Sequence, residues 1–200
     1  MKITKAVFVK SSMNPKGYPS YDHPEIAFLG RSNVGKSSLI NMLVGSASLV
    51  KVGSRPGVTT AVNFFLVNDT VSIADLPGFG YAKVPKSVKQ AFVPMIRDYC
   101  AHRRNLRIAF LLIDVRRTPD DLERDIITLL SDKGIPVALT ITKCDKVSKS
   151  ALRTRMKEIA EALMVETDQV FPTSSKTKSG KRELLRLIGD YCLRGATSPD

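Results

Sequence analysis

A chain of 200 residues, 43% hydrophobic and 25% charged, is long enough for a full core and has the balance of a water-soluble globular domain. No apolar run approaches the roughly 20 residues that span a bilayer, and the first 25 residues lack the apolar core of a secretion signal, so a cytoplasmic protein without a membrane partner is expected. Lys and Arg outnumber Asp and Glu 31 to 19, a net charge of +12 that points to a polyanion such as nucleic acid without separating RNA from DNA.

Residues 1–22 are expected to form an extension packed on the domain. The first predicted strand is "EIAFLG" (25–30), and "GRSNVGKSS" follows it directly. These nine residues, Gly30, Arg31, Ser32, Asn33, Val34, Gly35, Lys36, Ser37 and Ser38, contain G-x-x-x-x-G-K-[ST] and run into the helical apolar pattern of Leu39, Ile40 and Leu43. The glycines let the backbone curl so that several N–H groups face one anion, and the helix adds its positive end. Lys36 is placed to reach β- and γ-phosphates and Ser37 to ligate magnesium.

"SRPGVTT" (54–60) precedes the next strand. Either Thr59 or Thr60 can complete a magnesium shell when a γ-phosphate is present. Strands are predicted at 61–67 and 71–75, joined by a tight turn at Asn68 and Asp69 that makes one antiparallel edge. Asp75 ends the second strand and opens "DLPG", a carboxylate suited to holding magnesium through water. Gly78, with no side chain, can bring its N–H close to a γ-phosphate. Phe79 stands next, where many such hydrolases carry a glutamine that orients the attacking water.

A helix over 86–102 is expected to be kinked or split by Pro94. The run 107–115 is almost wholly apolar, as a central parallel strand should be. Thr118 and Pro119 are read as cap and first-turn proline of the following helix, whose stripe is Leu122, Ile126, Leu129 and Leu130 and whose stop is Gly134. After the strand 136–142 comes "TKCD", Thr142, Lys143, Cys144 and Asp145. A carboxylate at Asp145 accepts from guanine N1–H and the exocyclic amine, whereas adenine leaves it unpaired. Lys143 can lay its stem across the base. A last strand at 169–174 leads into "TSSK", where the backbone of Thr173, Ser174 and Ser175 can meet guanine O6, and a helix carries Leu184, Leu187, Ile188 and Tyr191. Residues 195–200 read as a frayed tail. The three cysteines have no metal-like spacing and suit reduced thiols.

The expected architecture is therefore α/β: a doubly wound, mostly parallel six-stranded sheet with one antiparallel edge strand, helices on both faces, and the ligand at the carboxyl ends of the strands. The motifs in this order read as a guanine-nucleotide-binding domain.

"EIAFLGRSNVGKSSLIN", "SRPGVTTAVNFF", "DLPGFGYAKVP", "LLIDVRRTPDDLERD" and "TKCD" together resemble the EngB (YihA/YsxC) family of bacterial ribosome-biogenesis GTP-binding proteins, within the TrmE-Era-EngA-EngB-Septin-like GTPases. The resemblance spans about residues 5 to 194, and the corresponding domain is bounded at 23–194. It implies a P-loop GTPase fold, Mg2+, and association with the large ribosomal subunit and its RNA, with a link to cell division and septation. It implies Ser37 and Thr59 as magnesium ligands, Asp75 acting through water, and a nucleotide site that also takes in Gly57, Val58, Ala61, Leu76 and Pro77. Family members lack the glutamine and usually carry tyrosine at the place of Phe79, so no hydroxyl is essential there and hydrolysis should be slow, with water positioned by backbone, a monovalent cation or the ribosome. Asn33 either helps hold K+ beside the phosphates or only braces the loop; Asn33, Lys36 and Thr59 are the catalytic candidates. The expected partners are GTP or GDP and ribosomal RNA, met by a monomer. Basic runs at 83–89, 101–107 and 176–186 are the candidate RNA contacts. A protein whose GTP state controls a division filament is the alternative; a nucleotide kinase would need an acceptor site and lid that the sequence does not show.

Overall fold

The computed structural model describes residues 1–46, 48–50, 61–80 and 92–193. The threonine loop 54–60 with Gly57, Val58, Thr59 and Thr60, the basic run 83–89, the first part of the 86–102 helix and the tail 195–200 lie outside the described residues.

Strand β1 (Ala6–Ser12) comes first, then β2 (Glu25–Gly30), α1 (Lys36–Val44), β3 (Val62–Val67) and β4 (Val71–Asp75). Helix α2 is described from Phe92 to His102, and Pro94 lies in its first described turn. β5 (Leu106–Asp114), α3 (Asp121–Asp132), β6 (Val137–Thr142), α4 (Lys149–Leu163), β7 (Val170–Pro172) and α5 (Lys181–Leu193) complete it. The strands form one sheet in the order β1-β3-β4-β2-β5-β6-β7, seven strands where six were expected. β3 pairs antiparallel with both β1 and β4, while β4, β2, β5, β6 and β7 are mutually parallel. The antiparallel strand is thus one place in from the edge, because β1 covers it.

Period-two alternation sorts the central strands between two cores. Ala27 and Leu29 of β2 face Ile96, Tyr99, Ile126 and Ile159 from α2, α3 and α4. Ile26 and Phe28 face Leu39, Ile40 and Leu43 of α1 and Leu184 and Ile188 of α5. Chain leaving β2 covers one face through α1, and chain leaving β4 covers the other through α2. That divergence opens a crevice at the carboxyl end of β2.

Three local devices fix the connections. Asn68 and Asp69 both have positive φ, 50° and 55°, and Thr70 N–H bonds the Val67 carbonyl at 3.0 Å, a tight turn within the three-residue loop between Val67 and Val71. Asn68 also holds the chain start, since its Oδ1 accepts from the N–H groups of Thr4 at 2.9 Å and Lys5 at 3.1 Å. Helix α3 starts two residues later than expected. Its cap is Asp120, which accepts from Leu122 N–H at 3.1 Å, while Glu123 accepts from Asp120 N–H at 3.2 Å. That reciprocal pair satisfies two end donors at once, which Thr118 does not do.

At the amino ends of the strands, Glu25 is fully buried and accepts four hydrogen bonds. They come from Tyr99 OH at 2.6 Å, Ser72 Oγ at 2.7 Å, Arg103 Nε at 2.8 Å and Arg103 Nη2 at 2.7 Å. Arg103 also donates to the Pro19 carbonyl at 2.7 Å, which ties the segment before β2 to α2. Arg103 is thereby withdrawn from the basic run 101–107. Arg104 and Arg107 of that run remain exposed.

Candidate functional site

The phosphate loop leaves β2 at Gly30, where close packing demands glycine: a Cβ would lie 2.9 Å from Val34 Cγ1 and 3.0 Å from Leu112 Cβ. Asn33 has φ 63° and Gly35 φ 108°, so the loop turns through left-handed backbone twice before α1 begins at Lys36. Val34 is buried, its N–H bonds the Arg31 carbonyl at 3.1 Å, and its carbonyl accepts from Thr142 Oγ1 at 2.7 Å. Ser37 and Ser38 occupy the first turn of α1, half-buried.

Lys36 Nζ is paired with Asp75 Oδ1. Asp75 ends β4, is buried, and takes a longer contact from Asn63 Nδ2 at 3.5 Å. The loop lysine and the expected magnesium carboxylate therefore share one small space at the crevice. Leu76 is buried with its N–H on the Phe28 carbonyl at 3.1 Å; Pro77 follows, and Gly78 is exposed. Ala61 is half-buried just before β3.

The base segment is organised from three strands. Lys143, at φ 59°, sends Nζ to the Asn33 carbonyl at 2.7 Å and to Asp114 Oδ2 at 3.0 Å. It joins the two motifs that are to contact phosphate and base. Asp114 in turn is gripped by Arg116, Nε on Oδ1 at 2.9 Å and Nη2 on Oδ2 at 2.7 Å. Burial works against the Asp114 carboxylate, yet the Arg116 and Lys143 donors hold it well below the usual carboxylate range. Asp145 Oδ1 accepts from Ser174 Oγ at 2.6 Å, and that hydrogen bond is the main cause of its lowered pKa. Cys144 N–H bonds the Thr173 carbonyl at 3.1 Å, fastening "TKCD" to "TSSK". Thr173 and Ser174 are buried and Ser175 is half-buried.

Two side chains turn away from the crevice. Phe79 is 4% exposed and its ring lies 4.7 Å from that of Phe92. The residue at the glutamine place is a core residue here. The Cys144 thiol donates into the protein, to the Ile141 carbonyl at 3.3 Å. All three cysteines are buried, and burial raises each thiol pKa, Cys100 to about 11 and Cys192 to about 12. The thiolate is the nucleophile, and at pH 8 a pKa near 11 leaves about one thiol in a thousand ionised. The folded protein is expected to resist alkylation at pH 8 and to label on all three thiols in denaturant; rapid labelling of any one in the folded state would contradict this burial.

Asp114 and Glu123 are site residues that motif reading passed over. Asp114 carries the same signal as Asp75, a lone carboxylate ending an apolar strand. Glu123 has no such local sign.

Fold and crevice together place the protein among the P-loop GTPases. Residues 25–143 match the family model described as 50S ribosome-binding GTPase. A probable GTP-binding protein EngB of Syntrophotalea carbinolica is 46% identical over 94% of this chain and 91% of its own. One from Geobacter sulfurreducens is 45% identical over 90% and 88%. The crystal structure of a probable GTP-binding protein engB superposes with TM-score 0.71 at 27% identity, covering 85% of this chain and 99% of that one. Era, in complex with MgGDPNP and nucleotides 1506–1542 of 16S ribosomal RNA, shares the fold at TM-score 0.61 and 22% identity, over 84% of this chain and 56% of that one. The chain belongs to the EngB family and is a GTP-binding GTPase. Among the described residues no helix is long and apolar enough to cross a membrane.

Proposed function

We propose that this GTPase is a slow molecular switch in assembly of the large ribosomal subunit, and that normal cell division and septation depend on it through that role. It docks on ribosomal RNA when loaded with GTP and leaves as the GDP form, working as a cytoplasmic monomer without a membrane partner. The observation that carries this reading is the match to a family described as 50S ribosome-binding, supported by the net charge of +12. Arg104, Arg107, Lys176, Lys178, Arg182 and Arg186 supply exposed charge in two of the candidate runs.

The residues present fit a magnesium ion. Buried Asp75 is aimed at the loop lysine, and Ser37 follows that lysine in the first turn of α1. Ser37 and Thr59 would hold the ion, with Asp75 acting through water, and the ion would supply charge stabilisation to the transferring phosphoryl group. Asn33, whose carbonyl already receives Lys143, is the candidate for holding K+. Residues 23–194 form the switch domain in this reading and 1–22 its extension.

Sucrose-gradient cofractionation tests the proposal. With a non-hydrolysable GTP analogue the protein should travel with the large subunit, and with GDP it should stay at the top; raised salt should weaken the association steeply. Migration at the top under both nucleotides would overturn the ribosomal role. GTP-dependent self-assembly of the ribosome-free protein on gel filtration would move the reading to the division filament.

A further inference from the structure

Arg31 sits inside the phosphate loop, but its side chain leaves the loop altogether. Nε donates to Glu123 Oε1 at 2.5 Å, Nη2 to Glu123 Oε2 at 3.1 Å, and Nη2 also pairs with Asp120. The Glu123 side chain is 2% exposed and that of Arg31 12%. The carboxylates that clamp the guanidinium are the same pair that caps α3. The start of that helix and the position of Arg31 are thus fixed by one set of contacts.

The other side of the guanidinium carries the segment after "DLPG". Arg31 Cζ lies 5.6 Å from the Phe79 ring centroid. A Cβ on Gly80 would fall 2.4 Å from Arg31 Nη1, so the Gly80 backbone, at φ 68°, rests directly on the guanidinium. The main chains join as well: Ser32 N–H donates to the Phe79 carbonyl at 2.8 Å, and Phe79 N–H to the Gly30 carbonyl at 3.3 Å. Gly78 is pressed against the loop so closely that a Cβ would lie 3.1 Å from Ser32 Cα.

From this geometry we infer that Arg31 is a positioning residue for hydrolysis: clamped by Glu123 and Asp120, its guanidinium sets where the Phe79–Gly80 backbone lies on the phosphate loop and so where the Gly78 N–H points. The inference rests on the reading of Gly78 as a γ-phosphate donor. A planar fork held at two nitrogens by one carboxylate fixes orientation as well as distance, which a lysine ammonium cannot do. Positioning matters because a displacement of about 1 Å at a reacting centre costs on the order of a hundredfold in rate. GDP has no γ-phosphate to meet Gly78, so the effect is confined to the triphosphate. The beginning of α3 becomes a second handle on the reaction: whatever shifts Asp120 and Glu123 shifts the donor.

Single-turnover hydrolysis, GTP and GDP affinities and thermal melting decide this for the wild type, Arg31→Lys, Glu123→Gln, the double variant Arg31→Met with Glu123→Met, and Gly78→Ala. Expected for Arg31→Lys and Glu123→Gln is a fall in kcat of about tenfold or more, with GDP affinity within about threefold of wild type. The apolar double variant should recover thermal stability, as replaced buried ion pairs often do, without recovering kcat. Hydrolysis within twofold of wild type in Arg31→Lys and the double variant would overturn the inference. So would equal loss of GTP and GDP affinity that follows the melting temperature, which marks a structural role only. Gly78→Ala keeps the N–H but pushes it off the loop by crowding Ser32, so wild-type kcat there would show that the placement of this N–H does not govern hydrolysis and would remove the reading beneath the inference, an outcome separable from the first two.

Discussion

Asp145→Asn is expected to weaken GTP binding more than a hundredfold, about 3 kcal/mol, and to open the site to XTP. The carboxylate is held ionised and oriented, chiefly by the Ser174 hydroxyl at 2.6 Å on Oδ1. An ionised carboxylate only accepts, and guanine offers two donors along one edge. An amide replaces one acceptor by a donor that meets the guanine amine head-on. Xanthine carries a carbonyl there, so the same donor finds a partner. The Ser174 hydroxyl rotates to suit either residue, and the phosphate loop, held by Thr142 and Lys143, is untouched. Competition of labelled nucleotide by GTP, XTP and ATP on both proteins measures the exchange. Retained preference for GTP would remove Asp145 from base recognition.

Glu25→Gln is expected to cost about 3–5 kcal/mol of folding stability, the usual result of removing one partner from a buried ion pair. Four donors converge on the two Glu25 oxygens, two of them from Arg103, whose side chain is only 5% exposed. Glutamine keeps the shape but turns one acceptor into a fifth donor. Ser72 can rotate its hydroxyl; the guanidinium cannot change role. The Tyr99 hydroxyl and the Pro19 tie lose their anchor with it. Because the cluster lies at the amino ends of the strands, base preference should be unchanged. A lower urea midpoint at constant m-value reads the loss, and an unchanged midpoint would refute it. The three buried thiols give an independent readout of the same opening.

What the sequence made legible, and what it hid, divides on the range of the interactions. The phosphate loop, "DLPG" and "TKCD" could be placed because their chemistry needs fixed local spacing at the ends of apolar strands. β1 escaped notice because Phe8, with Val7 and Val9, is exposed. Its strand is made by backbone pairing with β3, from Ala6 opposite Val67 to Ser12 opposite Val62, and no period-two stripe marks that. The start of α3 was misjudged because "TPDD" holds competing caps. Asp120 takes the role with Glu123, and both also answer to Arg31, some 90 residues earlier. Glu25 looked like an ordinary strand start, since its partner Arg103 lies 78 residues on. Phe79 could be recognised as the wrong residue for holding water, but not as a core residue packed on Phe92.

The strand order has a consequence for a chain still being made. Residues 6–75 contain every partner that β1, β3 and β4 need, and β2 then waits with one open edge. β5, β6 and β7 are added outward from that edge in the order of synthesis. The phosphate loop therefore belongs to the early half of the sheet and the base segment to the late half, and Lys143 on Asn33 is the seam between them. A guanine nucleotide that bridged that seam would need both halves in place to make its full set of contacts. At a concentration a hundred times its dissociation constant it would add about 2.7 kcal/mol to the completed fold, favouring chains in which both halves of the sheet are in place.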